Sequence, residues 1–299
     1  MNLDHPTLAA LRTGFSTEFQ SGFDAMKATS QWKRLAFFVK SSDKSETYGW
    51  LNDMLRMRKW FGPRHIKSLM ANAAVIWNEP YEATIGVNRY DIMFDKLGTY
   101  GPRFNQMGRV AAENPDQLVW ALLKAGFTTN CWDGQFFFDT DHPILRDDGT
   151  TSTFANTDGG AGAPWFLVDT SKGILPLVFQ QAIAPSFVSR DNLTDSNVFS
   201  LNEYQYGTDS YEAAGYAMPQ LAWGSKQPLD AARVKTAFET MESLKGGGDQ
   251  PLGISPNICF VGPTNREAAY KVFKATTVGG GDSNPWKDTV EVIVVPWLA

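Results

Sequence analysis

Residues 81–143 decide the fold, and they contain three informative segments: YEATIGVN (81–88), NPDQLVWALLKAG (114–126) and CWDGQFFF (131–138). In the first segment, larger or apolar residues occupy every second position from Tyr81 to Val87. This two-residue period predicts a β-strand with one covered face. We therefore expect a strand, a capped helix and an aromatic segment in close succession.

The second segment carries signals for both ends of a helix. Asn114 precedes Pro115, so its side chain is expected to accept hydrogen bonds from the free amides of the first turn. Gln117 is placed to complete a capping box, and Gly126 is placed to end the helix in a left-handed turn. This pattern predicts two helical pieces in line before Gly126, separated near residues 112–114.

Length and composition are those of an ordinary globular protein. The chain has 299 residues, which predicts about two domains and a core that needs no metal or disulfide. Its 27 Lys and Arg against 32 Asp and Glu give a net charge of −5, which argues against wrapping nucleic acid. Cys131 and Cys259 each lie in an apolar stretch and are expected to be buried free thiols. We find no secretory signal pattern and no membrane-spanning run.

The amino-terminal segment has the spacing of an amphipathic helix. Apolar residues recur every three or four positions up to residue 31, at Leu8, Leu11, Phe15, Phe19 and Phe23. The stripe must be covered, either by the core of the same chain or by another molecule.

The rest of the chain predicts a polar loop followed by a mixed sheet. Residues 146–164 contain Phe154 as their one large apolar residue and are expected to form a mobile surface loop. Short apolar pieces between residues 165 and 223 predict strands and hairpins. Asp230 is placed to cap a helix, and Thr264 to Glu267 has the spacing of a capping box for another. Strands near residues 258–261 and 289–295 complete an α/β pattern at the carboxyl end.

Motifs for catalysis or metal binding are weak. The densest set of ionisable groups could hold a hard cation, but a polar loop explains it more simply; it consists of Asp139, Asp141, His142, Asp147 and Asp148. The three histidines lack zinc-site spacing, and there is no CxxC, no Gly-x-Ser-x-Gly and no phosphate loop. We expect no cofactor, no metal and no enzymatic activity.

A basic cluster admits two interpretations. It comprises Arg56, Arg58, Lys59, Arg64 and Lys67, with Trp60 and Phe61 among them. Such a set could stack on and neutralise single-stranded nucleic acid, or it could pair with acids of a neighbouring subunit. The acidic remainder of the chain favours the second interpretation.

Several of these segments, in order, resemble the major head subunit of Mu-like phages and prophages. The resemblance rests on VNRYDI (87–92), DKLGTY (95–100), DGQFFF (133–138) and the following His142-Pro143, with YGWL (48–51) and WFGPR (60–64) before them. The segments WFLVD (165–169), SPNICFVGP (255–263) and TVEVIVV (289–295) extend it to the carboxyl end.

The resemblance implies the major capsid fold of tailed phages, the Hong Kong 97-like fold, which is an α+β architecture. Its parts would be an amino-terminal arm (1–35), an extended loop (36–95), a peripheral domain with a long spine helix (96–175), and an axial domain with returning strands (176–299). The arm is then expected to lie on a neighbouring subunit, although docking on its own core remains open. On the first interpretation, removing residues 1–25 would leave a folded subunit that no longer closes shells.

The resemblance also implies a function without a chemical step: many copies assemble into an icosahedral shell around double-stranded DNA. The expected partners are further copies arranged as pentamers and hexamers, with scaffolding, portal and decoration proteins, and no membrane. The DNA would be enclosed without sequence-specific binding, in a virion assembled in the bacterial cytoplasm. The candidate intersubunit contacts are Phe15, Phe19, Trp50, Arg58, Trp60, Arg64 and Arg89.

Two other functions stay open at this point. A storage compartment of the same fold, similar to an encapsulin, would hold protein cargo instead of DNA. A carboxylate-dependent hydrolase of mixed architecture would depend on Asp139 or Asp141 and would need a deep pocket.

Overall fold

The computed structural model describes residues 5–49, 74–94, 98–146 and 149–299. The helices are α1 (His5–Thr29), α2 (Arg89–Phe94), α3 (Gly101–Ala125), α4 (Ser196–Leu201), α5 (Ala231–Glu242) and α6 (Arg266–Phe273). The strands are β1 (Ala36–Lys40), β2 (Ser45–Tyr48), β3 (Ala74–Trp77), β4 (Glu79–Asn88), β5 (His142–Leu145), β6 (Thr151–Phe154), β7 (Thr157–Gly160), β8 (Trp165–Val168), β9 (Leu177–Arg190), β10 (Glu203–Tyr216), β11 (Ala222–Lys226), β12 (Ile258–Val261) and β13 (Glu291–Val294).

Two larger sheets organise the described part of the chain. The first has the order β1-β9-β10-β4, in which β9 and β10 form a long antiparallel hairpin and β1 runs parallel to β9. The second has the order β13-β12-β8-β11-β7. There β8 is antiparallel to both of its neighbours, and each edge strand is parallel to the strand beside it. Two further antiparallel pairs of short strands, β2 with β3 and β5 with β6, form separate two-stranded sheets.

The five-stranded sheet is buried on both faces because its central strands are apolar throughout. In β8, Trp165 and Leu167 point into the core shared with α5 and α6, whereas Phe166 and Val168 point into the core shared with α3. All four side chains are inaccessible to solvent. Continuous apolar runs are expected of strands that are covered on both sides.

The sheets cross the predicted domain boundary at residue 175. Strand β8 lies before that boundary but pairs with β11 and β12 after it. Strands β9 and β10 lie after the boundary but pair with β1 and β4 before it. A cut between residues 175 and 176 would therefore separate hydrogen-bonded neighbours in both sheets.

The prediction of two helical pieces before Gly126 is wrong. Helix α3 continues without a break from Gly101 to Ala125 and contains Pro115 in its interior. Asn114 lies inside this helix and therefore does not cap one; its side-chain amide donates to Glu212 Oε1 at 2.6 Å. The carboxyl end of the helix is where the sequence places it, but Gly126 has a right-handed φ of −58°. A glycine is needed there because a Cβ would lie 2.8 Å from the ring of Phe138.

Two further predictions require correction. Residues 146–164, expected to be a loop without packing, contain β6 and β7, and Phe154 is buried in the main core. The capping box from Thr264 to Glu267 does not form: Thr264 lies in a 3₁₀ turn before α6, and the helix has no side-chain cap. The amide of Asn265 instead donates to the carbonyl oxygens of residues 163 and 164.

Other predictions are confirmed. Helix α1, strand β4 and strands β12 and β13 lie where the sequence patterns indicate them. Asp230 caps α5 by accepting from the Arg233 amide at 2.9 Å. Cys131 and Cys259 are free and buried, and burial raises the pKa of both thiols.

Candidate assembly surfaces

The amino-terminal helix α1 packs along α3 of the same chain. Phe15 stacks on Phe104 of α3 with ring centroids 4.1 Å apart, and it meets Tyr206 of β10 edge-on at 5.4 Å. Phe19 is buried in the same cluster and contacts Phe187 of β9. The helix is thus seated on both the spine of the subunit and its long hairpin.

Two glycines bring these helices into close contact. A Cβ at Gly22 of α1 would lie 1.9 Å from the carbonyl oxygen of Asn105, and a Cβ at Gly108 of α3 would lie 2.0 Å from that of Phe19. A side chain at either position would push the two helices apart. The sequence pattern of apolar residues gave no sign of this contact, because glycine has no side chain for such a pattern to register, although Gly22 lies three residues after Phe19 on the same face of α1.

Phe15 and Phe19, two of the candidate intersubunit contacts, are therefore inside the subunit. Their exposed fractions are 9% and 3%. These two side chains therefore fit the alternative in which the amino-terminal helix docks on the core of its own chain. Neither ring is available as a surface for a neighbour, because α3 and the hairpin already cover both.

A buried carboxylate ties the end of α1 to α3. Asp116 is 2% exposed and accepts hydrogen bonds from the backbone amides of Gln31 and Trp32 and from Trp120 Nε1, at 2.9 to 3.2 Å. The hydroxyl of Ser30 donates to its other oxygen. The connection from α1 to β1 is therefore held at the middle of α3, one residue after Pro115.

A second buried carboxylate lies where the long hairpin crosses α3. Glu212 of β10 is inaccessible to solvent and accepts from Asn114 and Gln181, each at 2.6 Å. The register between β9 and β10 shifts on both sides of the neighbouring Tyr211. Burial raises the pKa of Glu212, and hydrogen bonds from Gln181, Asn114 and Ser210 oppose that rise.

Arg89 lies at the joint between β4 and α2 and is half-buried. Its backbone amide donates to the carbonyl oxygen of Asn202 at 2.9 Å, which links α2 to the start of β10. Its guanidinium lies beside Tyr204, where it partly offsets the rise in the pKa of that phenol caused by burial. The other four candidate contacts, Trp50, Arg58, Trp60 and Arg64, lie outside the described residues.

Two of the residues considered for chemistry, Asp139 and His142, have structural contacts in the described part of the chain. Asp139 accepts from the backbone amides of Phe136 and Thr140 and so shapes a turn. His142 Nδ1 contacts Asp133 Oδ2 at 2.6 Å in a fully buried pair, and the imidazole stacks on Phe154. No group of three or more metal-ligating side chains is found among the described residues. Asp147 and Asp148 lie outside them.

Comparison with known proteins agrees with this architecture. Residues 8–298 match the family described as Mu-like prophage major head subunit gpT. The chain belongs to this family. Among its relatives, the major capsid protein of Escherichia phage Mu is 36% identical over 301 residues, covering 98% of each chain. The Mu-like prophage FluMu major head subunit of Haemophilus influenzae is 35% identical over 280 residues, covering 91% of this chain and 90% of that protein.

Solved structures of related particles extend the likeness of this head subunit to its fold. The chain superposes on a subunit of the procapsid of bacteriophage JBD30 with a TM-score of 0.86 and 39% identity, covering 99% of this chain and all of that one. The capsid of the same phage matches with a TM-score of 0.77 and 31% identity, covering 90% and 91%. The tailed-phage capsid fold is therefore confirmed. None of the described helices has the length and apolarity needed to cross a bilayer.

Proposed function

We propose that this protein is the major capsid protein of a Mu-like phage or prophage and that its copies form an icosahedral shell around double-stranded DNA. The similarity to the phage Mu major capsid protein over nearly the full length of both chains carries the proposal. The proposal is also supported by the fold, because the chain superposes on a procapsid subunit. The protein then resides in the virion, and its function is to form the shell without a chemical step.

Each structural unit has a proposed place in the shell. Helix α3 and the four-stranded sheet would form the wall, because they build a long layered unit closed on one side by α1. The five-stranded sheet with α5 and α6 would pack around the axes of pentamers and hexamers. Repetition of weak contacts over many copies stabilises such an assembly, while reversibility lets misplaced subunits leave.

The basic segment with Trp50, Arg58, Trp60 and Arg64 is proposed to contact a neighbouring subunit. Its support is the charge balance of the chain, which is negative overall although this segment is basic. Charge complementarity between copies would fix their relative orientation more than it would raise affinity. Among the described residues, Arg89 is the proposed contact with a neighbouring subunit. It lies between β4 and α2, beside the start of β10.

The first experiment is to express the chain and examine it by sedimentation velocity and negative-stain electron microscopy. Closed shells, or five- and six-fold capsomers, are the expected result, if necessary after co-expression of a scaffolding protein from the same phage. A strictly monomeric protein in the presence of that scaffolding protein would refute the proposal. Packaged DNA in particles from induced cells would distinguish a phage head from a compartment that holds protein cargo.

A charge-reversal experiment tests the basic segment separately. The double variant Arg58→Glu, Arg64→Glu is expected to remain folded and to lose shell formation. Lys235→Glu is the matched control, because Lys235 is an exposed residue of α5, 64% accessible, with one weak ion pair. If both proteins assemble equally well, the segment does not carry the contact.

A further inference from the structure

Strands β2 and β3 form the base from which the basic segment leaves the subunit. The chain runs outward along β2, which ends at Tyr48, and returns along β3, which begins at Ala74. These two residues face each other in the antiparallel register, so the intervening chain starts and ends at one place. The orientation of β2 and β3 therefore sets the direction from which the basic segment starts.

A chain of buried hydrogen bonds connects these two strands to the long hairpin. Gln180 of β9 is inaccessible to solvent, and its Oε1 accepts from the Tyr48 hydroxyl at 2.9 Å. Its Nε2 donates to the carbonyl oxygen of Ile76 at 3.0 Å and to Asn78 Oδ1 at 2.9 Å. One side chain thus holds the end of β2, the middle of β3 and the residue that follows β3.

Asn78 extends these contacts to the turn between β1 and β2. Its Nδ2 donates to Ser41 Oγ at 3.0 Å and to the carbonyl oxygen of Asp43 at 2.9 Å, and the Ser41 hydroxyl donates to Glu46 Oε1 at 2.8 Å. Both amide hydrogens of Asn78 and of Gln180 therefore have acceptors. A buried network of this kind holds one arrangement, because another would leave polar atoms without partners. We call the following residues the Gln180 network: Ser41, Glu46, Tyr48, Asn78 and Gln180.

Apolar packing reinforces the same joint. Ile76 of β3 is buried in the core that also contains Tyr48 and Val178 of β9. A Cβ on Gly215 of β10 would lie 2.1 Å from Ile76 Cδ1, so β3 is seated directly on the backbone of the hairpin. The two strands are thus attached to the subunit through the face that carries the Gln180 network.

Strand β9 is held from its other face at the same point. Gln181, the residue after Gln180, donates to Glu212 at 2.6 Å, and Glu212 also accepts from Asn114 of α3. Successive side chains of a strand point to opposite faces. Strand β9 therefore lies between the base of the basic segment and α3, and the orientation of β2 and β3 is fixed relative to that long helix.

We propose that Gln180 and Asn78 are positioning residues for shell assembly: they fix the direction in which the basic segment leaves the subunit, and so the angle at which it meets a neighbouring copy. This inference rests on the proposed function, because it assumes that the basic segment contacts a neighbour. Many copies can engage at once only when each contact has the same geometry. A loosened base would leave the subunit folded and misdirect the contact.

The first test measures the orientation of β2 in unassembled subunits. Thr47 is exposed on β2 and Lys235 on α5, so Thr47→Cys with Lys235→Cys gives two accessible sites for spin labels, whereas Cys131 and Cys259 are buried. Double electron–electron resonance should show one narrow distance. Adding Gln180→Met removes three hydrogen bonds and should broaden or shift that distance. An unchanged distance distribution would overturn the proposal.

Gln181→Met is the matched control. The residue type is the same and the position is adjacent, but the lost hydrogen bond is the one to Glu212, outside the Gln180 network. This variant is expected to lower the free energy of unfolding and to leave the spin-label distance unchanged. If Gln180→Met does not fold, Tyr48→Phe removes a single hydroxyl of the network and takes its place. A narrow, unshifted distance in Tyr48→Phe would then refute the positioning role.

The second test measures assembly. Gln180→Met is expected to lower the fraction of subunits in closed shells about ten-fold at a fixed concentration of folded protein. Gln181→Met should assemble like the unsubstituted protein under the same condition. Equal shell yields for the two variants would overturn the proposal even if the spin-label distance changes, because the orientation of β2 would then not govern assembly.

These outcomes separate the inference from the proposed function. If the unsubstituted protein forms shells and both methionine variants form them equally well, the capsid assignment stands and the positioning role is wrong. If the unsubstituted protein forms no particles with its scaffolding protein, the proposed function fails and the positioning role fails with it.

Discussion

Replacing a single glycine of α1 tests whether this helix is seated on its own subunit. A Cβ at Gly22 would lie 1.9 Å from the carbonyl oxygen of Asn105 in α3, well below the 3.0 Å under which such contacts are essentially never observed. Gly14 lies on the same helix, and no atom lies within 4 Å of the position of its Cβ. Gly14→Ala is therefore a matched control for Gly22→Ala: the chemical change and the helix are the same.

Two effects of opposite sign determine how much Gly22→Ala changes the free energy of unfolding. Alanine in place of glycine inside a helix favours folding by about 0.5–1 kcal/mol, and Gly14→Ala should show this gain. In Gly22→Ala, α1 must move away from α3 by about 1 Å, which forfeits a quarter to a half of the dispersion energy across the contact. Leu8, Phe15 and Phe19 contribute about 2 kcal/mol each, so about 1.5–3 kcal/mol is lost in total. The net loss should be about 1–2 kcal/mol.

The assay is urea unfolding of unassembled subunits, followed by far-ultraviolet circular dichroism at concentrations too low for shells to form. Gly22→Ala should unfold at lower urea than the unsubstituted protein, and Gly14→Ala at slightly higher urea. If both variants are stabilised by the same amount, the close contact with Asn105 is absent in the isolated subunit. Helix α1 would then be free to act as an arm on a neighbour.

Three further predictions concern the same region. Asp116→Ala leaves the buried amide of Trp32 and the indole nitrogen of Trp120 without an acceptor, so it should lower the free energy of unfolding by about 3–4 kcal/mol. Asp116→Asn should cost clearly less in the same urea assay, and equal losses would contradict the hydrogen-bond explanation. Because burial raises the pKa of Glu212, the folded state holds that proton more tightly; its stabilising contribution is complete below about pH 4.5 and is lost as the pH rises through the folded value. The stability of Glu212→Gln relative to the unsubstituted protein should therefore increase with pH above 4.5, and parallel stability curves would argue against this. Deletion of residues 1–25 should abolish or strongly weaken cooperative unfolding because it uncovers the core of α3; an unchanged transition would favour the interpretation as a detached arm.

The sequence predicts local elements well where the signal is periodic. The apolar spacing of Leu8 to Phe23 gives α1, and alternation in residues 81–88 gives β4, because each pattern depends only on neighbouring positions. What α1 packs on is not contained in that pattern. The decisive features are Gly22 and Gly108, which are 86 positions apart in the sequence and become informative only when the two helices are aligned.

Non-local contacts also explain the wrong predictions. Strand β7 has a polar composition, but it forms because it pairs with β11, more than 60 residues later. Helix α3 passes through Pro115 because the surrounding contacts hold it: Asp116 anchors the chain after α1, and Asn114 reaches Glu212 on the hairpin. Local preference for a helix start at Asn114 is outweighed by these tertiary hydrogen bonds. The capping signal is visible in the sequence, whereas the tertiary hydrogen bonds that outweigh it are not.

Helix α3 is shared between two cores. Its first half, with Phe104, packs with α1 and the hairpin, whereas its second half, with Trp120, packs against the five-stranded sheet. A change in the seating of α1 should therefore alter the stability of the subunit and the position of its long hairpin relative to the five-stranded sheet. The double variant Arg58→Glu, Arg64→Glu should reduce shell yield at a constant free energy of unfolding, whereas Gly22→Ala should lower both. This difference separates a surface that joins copies from a contact that holds one copy together.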